Sequence, residues 1–381
     1  MKFSKALRLP KFPIVALVGA GGKTTALFKL AKELTPSIVS TTTHFGEWQV
    51  NKCDVHIRVK AGAELPNIPG DGVTIITGEK ENDRFTAVDD GQLGELKKIA
   101  ADLGLSFLIE ADGARQKPLK APADHEPAIP DFVNTVIVTA GLGGLNNPLE
   151  EKFVHRPELF SQISGLEIGK TITIDALGKV LTHRAGGLKN IPINARRIAL
   201  LNQADTPELQ SQGKQLAEKI LPAYDAVVIA SLGATHEHKP EESLIQAVHE
   251  KIAGIILAAG GSTRFGQPKQ LLDFHGKPFI RVIAEKALSA GLDPVIVVTG
   301  ALGDEVKQAV GRLQVQIVEN PEWEKGQSKS IQAGISSMPT KCGGAVFLLS
   351  DQPQVTVEVL RSLVENHSRD LPAILAPFVN D

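Results

Sequence analysis

The sequence predicts an α/β protein of two three-layer domains, each with a mostly parallel sheet, spanning residues 1–250 and 251–381. Three observations lead there. Short aliphatic runs alternate with amphipathic, helix-like segments along most of the chain. Two of those runs end in a glycine turn with a cation behind it, GAGGKTT (19–25) and LAAGGSTRFGQPKQ (257–270). The length of 381 residues leaves room for two cores.

Taken in order, FPIVALVG (12–19) reads as a buried strand feeding the first glycine turn. The preceding lysines mimic a secretory leader, but the apolar run is short, begins at Pro13 and is closed by Lys23. TTALFKLAKEL (24–34) follows as a helix. Strands are expected at 36–42, 73–78, 105–112, 134–141, 196–205 and 224–232, with helices at 94–104 and 206–221. LIQAVHEKIAG (244–254) reads as the closing helix of the first unit, running into the second with little linker. The pattern then restarts. Strands are expected at 253–261, 294–300, 315–320 and 344–351, and a helix at 278–291.

Composition narrows the function classes. Formal net charge is −2 with no long basic block, which argues against a nucleic-acid surface as the main role. No apolar run is long enough to span a bilayer, so no membrane role is expected. Two distant cysteines, Cys53 and Cys342, make neither a disulfide framework nor a C-x-x-C metal motif, and the cytoplasm is the expected compartment. Aromatics are only 4% against 35 glycines and 23 prolines, the balance of aliphatic strands joined by tight turns.

GAGGKTT stands between a strand and a helix, the context a phosphate-binding loop requires. Gly19, Gly21 and Gly22 would let backbone N–H groups approach phosphate oxygens, and the helix N-terminus adds positive field. Lys23 would reach the β- and γ-phosphates, with Thr24 on Mg²⁺ and Thr25 alongside. The loop is a variant, because Leu17 stands where G-x-x-x-x-G-K-[ST] has its first glycine. The strand 105–112 ends in Glu110 and Asp112, and Asp112 is the candidate second metal-side carboxylate. LNQAD (201–205) offers Asn202 and Asp205 either as readers of a nucleotide base or as an Asx turn capping the next helix. TTTH (41–44) ends another strand, either around Mg²⁺ or as hydroxyls capping a turn. Behind Asp112, Arg115, Lys117 and Lys120 cluster among prolines and are candidate grips for an anionic substrate, or a solvated basic loop.

The strings VGAGGKTT, TTTH, EADGARQKPLKAPADHEPAIP and GLGGLNNPLEEKFVHRPELF resemble the YqeC-type accessory proteins of selenium-dependent molybdenum hydroxylases, over about residues 10–245. The resemblance implies a domain that binds a nucleoside triphosphate and serves such a hydroxylase apo-enzyme. It adds His125, His155 and Arg156 as site candidates.

The second glycine turn follows other logic. The backbone of Leu257, Ala258, Ala259, Gly260, Gly261 and Ser262 can wrap a triphosphate, with Arg264 and Lys269 neutralising charge as pyrophosphate leaves. L-A-A-G-x-S-x-R-x-G-x-x-K resembles the MocA/MobA-like nucleotidyltransferases that load nucleotides onto molybdopterin; isoprenoid cytidylyltransferases share much of this loop. ENPEWEKGQSKSIQAGI (319–335) and FLLSDQP (347–353) also resemble the molybdopterin group. This resemblance implies a Rossmann-like fold, CTP as donor ahead of GTP, and Mo-molybdopterin as acceptor. Asp351 would hold Mg²⁺, and Asn320, Gln327, Ser328 and Ser330 would line the base or acceptor pocket. Positions 327 and 328 depart mildly from the group, which often has Met there. In the group more sequence follows the point corresponding to Asp381, so the second domain is expected to be incomplete at its C-terminus. A competing function of another class is a nucleotide switch that holds a cofactor intermediate without turnover.

Overall fold

The computed structural model describes residues 1–233, 244–261 and 268–377. The chain divides into two compact units, Met1–His249 and Glu250–Asp381.

Among the described residues of the first unit nine strands form one sheet. They are β1 (Ile14–Gly19), β2 (Ser37–Thr41), β3 (Val55–Arg58), β4 (Val73–Thr77), β5 (Ser106–Glu110), β6 (Thr135–Gly141), β7 (Arg196–Asn202), β8 (Ala226–Ala230) and β9 (Ile245–Glu250). Their order is β9-β8-β7-β6-β1-β5-β2-β4-β3, and the pairs from β8 through β3 all run parallel. Helices α1 (Lys23–Glu33), α2 (Asp90–Leu103), α3 (Pro157–Ser164), α4 (Ile174–Thr182) and α5 (Pro207–Ile220) pack around it. The central strands are buried along their whole length, as a sheet covered on both faces demands. Their inward residues, among them Phe107, Ile109, Val136 and Val138, join Leu96, Leu177 and Leu216 from the helices in one core.

In this sheet two strands differ from the expectation. Val55–Arg58 adds an edge strand that its half-buried, weakly alternating sequence does not announce. The segment read as a helix at 244–254 is β9 followed by the first strand of the next unit. Beside β8 lies a row of backbone hydrogen-bonding groups that a strand can satisfy and a helix cannot. Ile245 and Val248, both β-branched, are the apolar residues that β9 buries.

The second unit has a four-stranded sheet in the order β12-β11-β10-β13, all parallel. These strands are β10 (Ile252–Ala258), β11 (Val295–Thr299), β12 (Val315–Glu319) and β13 (Gly344–Leu349). Residues Ile280, Ile283, Ala284 and Ala287 of α6 (Phe279–Ser289), Val306 and Val310 of α7 (Gly303–Val310) and Leu360 of α9 (Val357–Asp370) fill one face. Ile331 and Ala333 of α8 (Gln327–Ser337) cover the other. Gly334 lets α8 come close, since a Cβ there would lie 2.5 Å from Ile255 Cγ2. Among the described residues no helix is long and apolar enough to cross a membrane.

Candidate nucleotide sites

In both units the glycine turn sits at the carboxyl end of a central strand, where open α/β sheets gather ligands. In the first unit β1 is also the switch point: the chain returns as β2 on its β5 side and as β6 on the other.

The turn after β1 is held by its own backbone. Gly19 N–H donates to Asp112 Oδ2 at 2.9 Å, Ala20 N–H to Thr139 O at 2.8 Å, and Gly21 N–H to Lys117 O at 3.0 Å. Those three donors are spent on protein. The donors that point to a ligand are those of the first turn of α1, which have no intrahelical acceptor. Gly21 and Gly22 are required here: both have left-handed backbone (φ 82° and 116°), and a Cβ would meet Gly141 N at 2.2 Å or Asn202 Nδ2 at 2.2 Å respectively.

Lys23 is buried, donating to Gly19 O at 2.7 Å and facing Asp112 Oδ1 at 3.0 Å. Burial works against its ammonium, but Asp112 and Glu110 outweigh that and raise its pKa. Thr24 Oγ1 donates to Glu110 Oε2 at 3.2 Å and accepts from Gln49 Nε2 at 3.1 Å. Burial pushes the Glu110 carboxyl up against the pull of Lys23. The carboxylate beside Thr24 is therefore Glu110, and the sequence expectation that Asp112 stands there needs correcting. Asp112 is committed to the Gly19 N–H, Lys23 and Lys120. The Thr24 hydroxyl and Glu110 carboxylate are hard oxygen donors, which fit Mg²⁺ carried in on nucleotide phosphates.

Two further readings change. Asn202 is buried, its Nδ2 donating to Gly21 O at 2.8 Å and its Oδ1 accepting from Leu232 N–H at 3.0 Å. Both ends of its amide hold backbone and it does not line the cavity, so it positions the loop. Asp205 is exposed and does not line the cavity, whereas Gln203 does. Lys120 lies beneath the cavity with its side chain 1% exposed, bonded to Gly113 O and paired with Asp112 Oδ2 at 2.9 Å and Glu126 Oε2 at 2.7 Å. It supports the site from below and does not face a ligand.

The cavity itself measures about 1160 Å³. The phosphate loop from Gly21 to Thr25 lines one side, with Thr42, Thr43 and His44 of the TTTH segment. Arg115, Lys117, His125, His155 and Arg156 line another. Trp48, Gln49 and Arg84 complete it without a motif that announces them; they arrive through a short helix and a small hairpin sheet.

In the second unit Lys269, just past the glycine turn, faces Asp351 at the end of β13, Nζ to Oδ2 3.6 Å. Ser262 and Arg264 lie outside the described residues. Leu257, Ala258 and Ala259 are buried at the end of β10, and Gly260 O accepts from the buried Gln270 Nε2 at 3.1 Å. Trp323 underlies the turn: a Cβ on Gly261 would come within 3.2 Å of its ring, and one on Gly300 within 2.7 Å of its Cβ. Gln270 and Trp323 are supports that the loop motif alone does not reveal. Asn320 and Ser330 are buried and bonded to each other at 3.0 Å, with Asn320 Oδ1 also accepting Glu322 N–H. They shape the turn after β12. Gln327 and Ser328 begin α8 and are exposed. Among the described residues no three His, Cys, Asp or Glu side chains gather as a metal cage. A single carboxylate completed by substrate phosphates is the Mg²⁺ pattern that Asp351 fits.

The profile of the YqeC protein family matches residues 15–158, and that of the MobA-like NTP transferase domain matches residues 254–381. YqeC of Escherichia coli (strain K12) is 32% identical over 235 residues, covering 59% of this chain and 88% of that protein. Nicotine blue oxidoreductase of Paenarthrobacter nicotinovorans is 32% identical over 117 residues, 30% of this chain and 57% of that enzyme. A solved nucleotidyl transferase from Methanothermobacter thermautotroptrophicus is 30% identical, over 30% of this chain and 57% of its own, with a TM-score of 0.28. The chain thus spans little more than half the length of these last two proteins.

Proposed function

Since the chain belongs to the YqeC family and carries a MobA-like NTP transferase domain at its C-terminus, we propose that it matures a molybdenum cofactor. In this reading the C-terminal unit transfers CMP from CTP to Mo-molybdopterin. The N-terminal unit binds its own nucleoside triphosphate and serves a selenium-dependent molybdenum hydroxylase apo-enzyme, in the cytoplasm. Both cysteines are free thiols, which fits a reducing compartment.

The observation that carries the transfer is the meeting of Lys269 and Asp351 at the carboxyl ends of adjacent parallel strands, beside a glycine turn. A phosphate oxygen of the pterin attacks the α-phosphorus of CTP. The bond from that phosphorus to the bridging oxygen breaks, and pyrophosphate leaves with the electron pair. Negative charge spreads over the transferring group, so catalysis is mainly positioning and cations. Lys269 supplies one cation, with Arg264 as the second. Mg²⁺ at Asp351, when bound, screens the triphosphate. CTP is placed ahead of GTP on the resemblance of Asp351-Gln352-Pro353, just past β13, and of RFGQPK (264–269) to the cytidylyltransferase branch.

The test is product analysis after mixing the chain with Mo-molybdopterin, Mg²⁺ and CTP, with GTP and ATP in parallel. The expected result is a cytosine dinucleotide and pyrophosphate from CTP, lost in Asp351→Ala. No dinucleotide from any of the three nucleotides would overturn the transferase reading.

A further inference from the structure

The N-terminal cavity extends beyond its phosphate loop. At about 1160 Å³ it stands just above the roughly 300–1,000 Å³ of small-molecule sites. The loop supplies one wall, and the side formed by Arg115, His155 and Arg156 has no task in holding the loop's triphosphate.

That side is built. Arg115 and Gln116 adopt left-handed backbone (φ 47° and 58°), as does Arg156 (φ 66°). Such conformations are strained in non-glycine residues and persist where surrounding structure imposes them. The Arg115 segment is fastened to the phosphate loop by the Gly21 N–H to Lys117 O bond, so the two walls are held in register. Arg156 is fixed by Glu126, Nη1 to Oε2 2.7 Å, and Glu126 is shared with the buried Lys120, which also holds Asp112. Asp112 beneath the wall is taken up by Lys23 and Lys120, and Glu126, which lines the cavity, by Lys120 and Arg156; Arg84, Arg115, Lys117, Arg156 and Lys23 on the lining outnumber its carboxylates Asp83, Glu110 and Glu126. His155 lines the same cavity. Burial, then the charges of Arg156, Lys120 and Arg115, lower its pKa to about 4, so it offers a neutral imidazole.

We propose that Arg115, His155 and Arg156 seat a second anionic ligand, a phosphomonoester, beside the terminal phosphates of the nucleotide. This rests on the phosphate-loop reading of the N-terminal unit and names the substrate class of that site. Two planar guanidiniums match the oxygens of a phosphate dianion in bidentate fashion, and a neutral imidazole adds a donor. The charge exceeds what one carboxylate would balance. The acceptor of the proposed CMP transfer presents the same chemical group.

The experiment uses the full chain saturated with AMP-PNP and Mg²⁺, titrated with inorganic phosphate by calorimetry. Phosphate is expected to bind the loaded chain, and Arg115→Gln to weaken it about tenfold or more, the loss of one charge-assisted contact. Arg115 is exposed, so this variant keeps its fold; Arg156→Lys, which retains the Glu126 pair but not the fork, is expected to weaken phosphate likewise. No phosphate binding, or binding unchanged in both variants, overturns the second seat. Binding of AMP-PNP at the loop is the component lost in Lys23→Ala. If no such component exists, the phosphate-loop reading fails and the seat with it; if it exists and phosphate still does not bind, the seat alone fails.

Discussion

Asn202 joins two backbone segments through one buried amide, Gly21 O on one side and Leu232 N–H on the other. Removing it strands a buried acceptor and a buried donor, at about 1–3 kcal/mol for each group left unsatisfied. Asn202→Ala is therefore expected to lower the urea midpoint and loosen nucleotide binding together; an unchanged midpoint would show that the amide does not hold the loop. Glu126 makes a pH prediction. Burial pushes its carboxyl up, but the hydrogen bonds from Arg156 and Lys120 win and hold it down to about 2, from an ordinary 4.5. A depressed pKa stabilises the fold fully above about pH 4.5, and that contribution, on the order of 3 kcal/mol, is lost as pH falls toward 2. Urea unfolding of the parent and of Glu126→Gln across this range should show the gap between them narrowing with acid. A constant gap would mean that the pairs with Lys120 and Arg156 do not set the titration.

At the scale of elements, the β1–α1 turn and helix α2 put glycine to opposite uses. Gly21 occupies a left-handed turn where a Cβ would lie 2.2 Å from Gly141 N and 2.7 Å from Pro118 O. Gly21→Ala should push the phosphate loop off β6 and the 113–118 segment, abolishing nucleotide binding and lowering the melting temperature. Gly94, inside α2, has open space around it and carries only the entropic penalty of a helical glycine. Gly94→Ala should stabilise by about 0.5–1 kcal/mol and leave binding unchanged. A destabilised Gly94→Ala would show that α2 is constrained in a way its packing does not reveal. The misread element, β9, belongs here too. In the segment 244–254 that contains it, the apolar residues at 244, 245, 248 and 252 fall at a helical spacing. Only the neighbouring β8, distant in neither sequence nor space, selects the strand by offering backbone partners.

At the scale of the molecule, each unit has its own sheet, its own core and its own glycine turn. The two nucleotide chemistries are expected to separate by mutation. Lys23→Ala should remove nucleotide binding at the first loop and leave dinucleotide formation measurable; Asp351→Ala should do the reverse. Loss of both activities in either variant would mean that the units act as one catalytic machine.

The parallel α/β class, both glycine turns and most of the buried strands were legible in the chain, because they are local. A run such as IVALVG followed by GAGGKTT carries its strand, turn and helix signals within a dozen residues. The sequence singles out Lys23, Thr24, Lys269 and Asp351 as candidates for the same reason: each belongs to a short motif that follows a strand. What only the tertiary structure decided is which polar groups are spent on one another. Asp112, Lys120 and Asn202 look like ligand-facing residues in sequence, yet the fold turns each inward onto charged partners or backbone, while Glu110 reaches Thr24 and Gln49 arrives from another element. Buried charges and amides must find partners wherever the fold brings them, often a hundred residues away, and no local pattern records that choice.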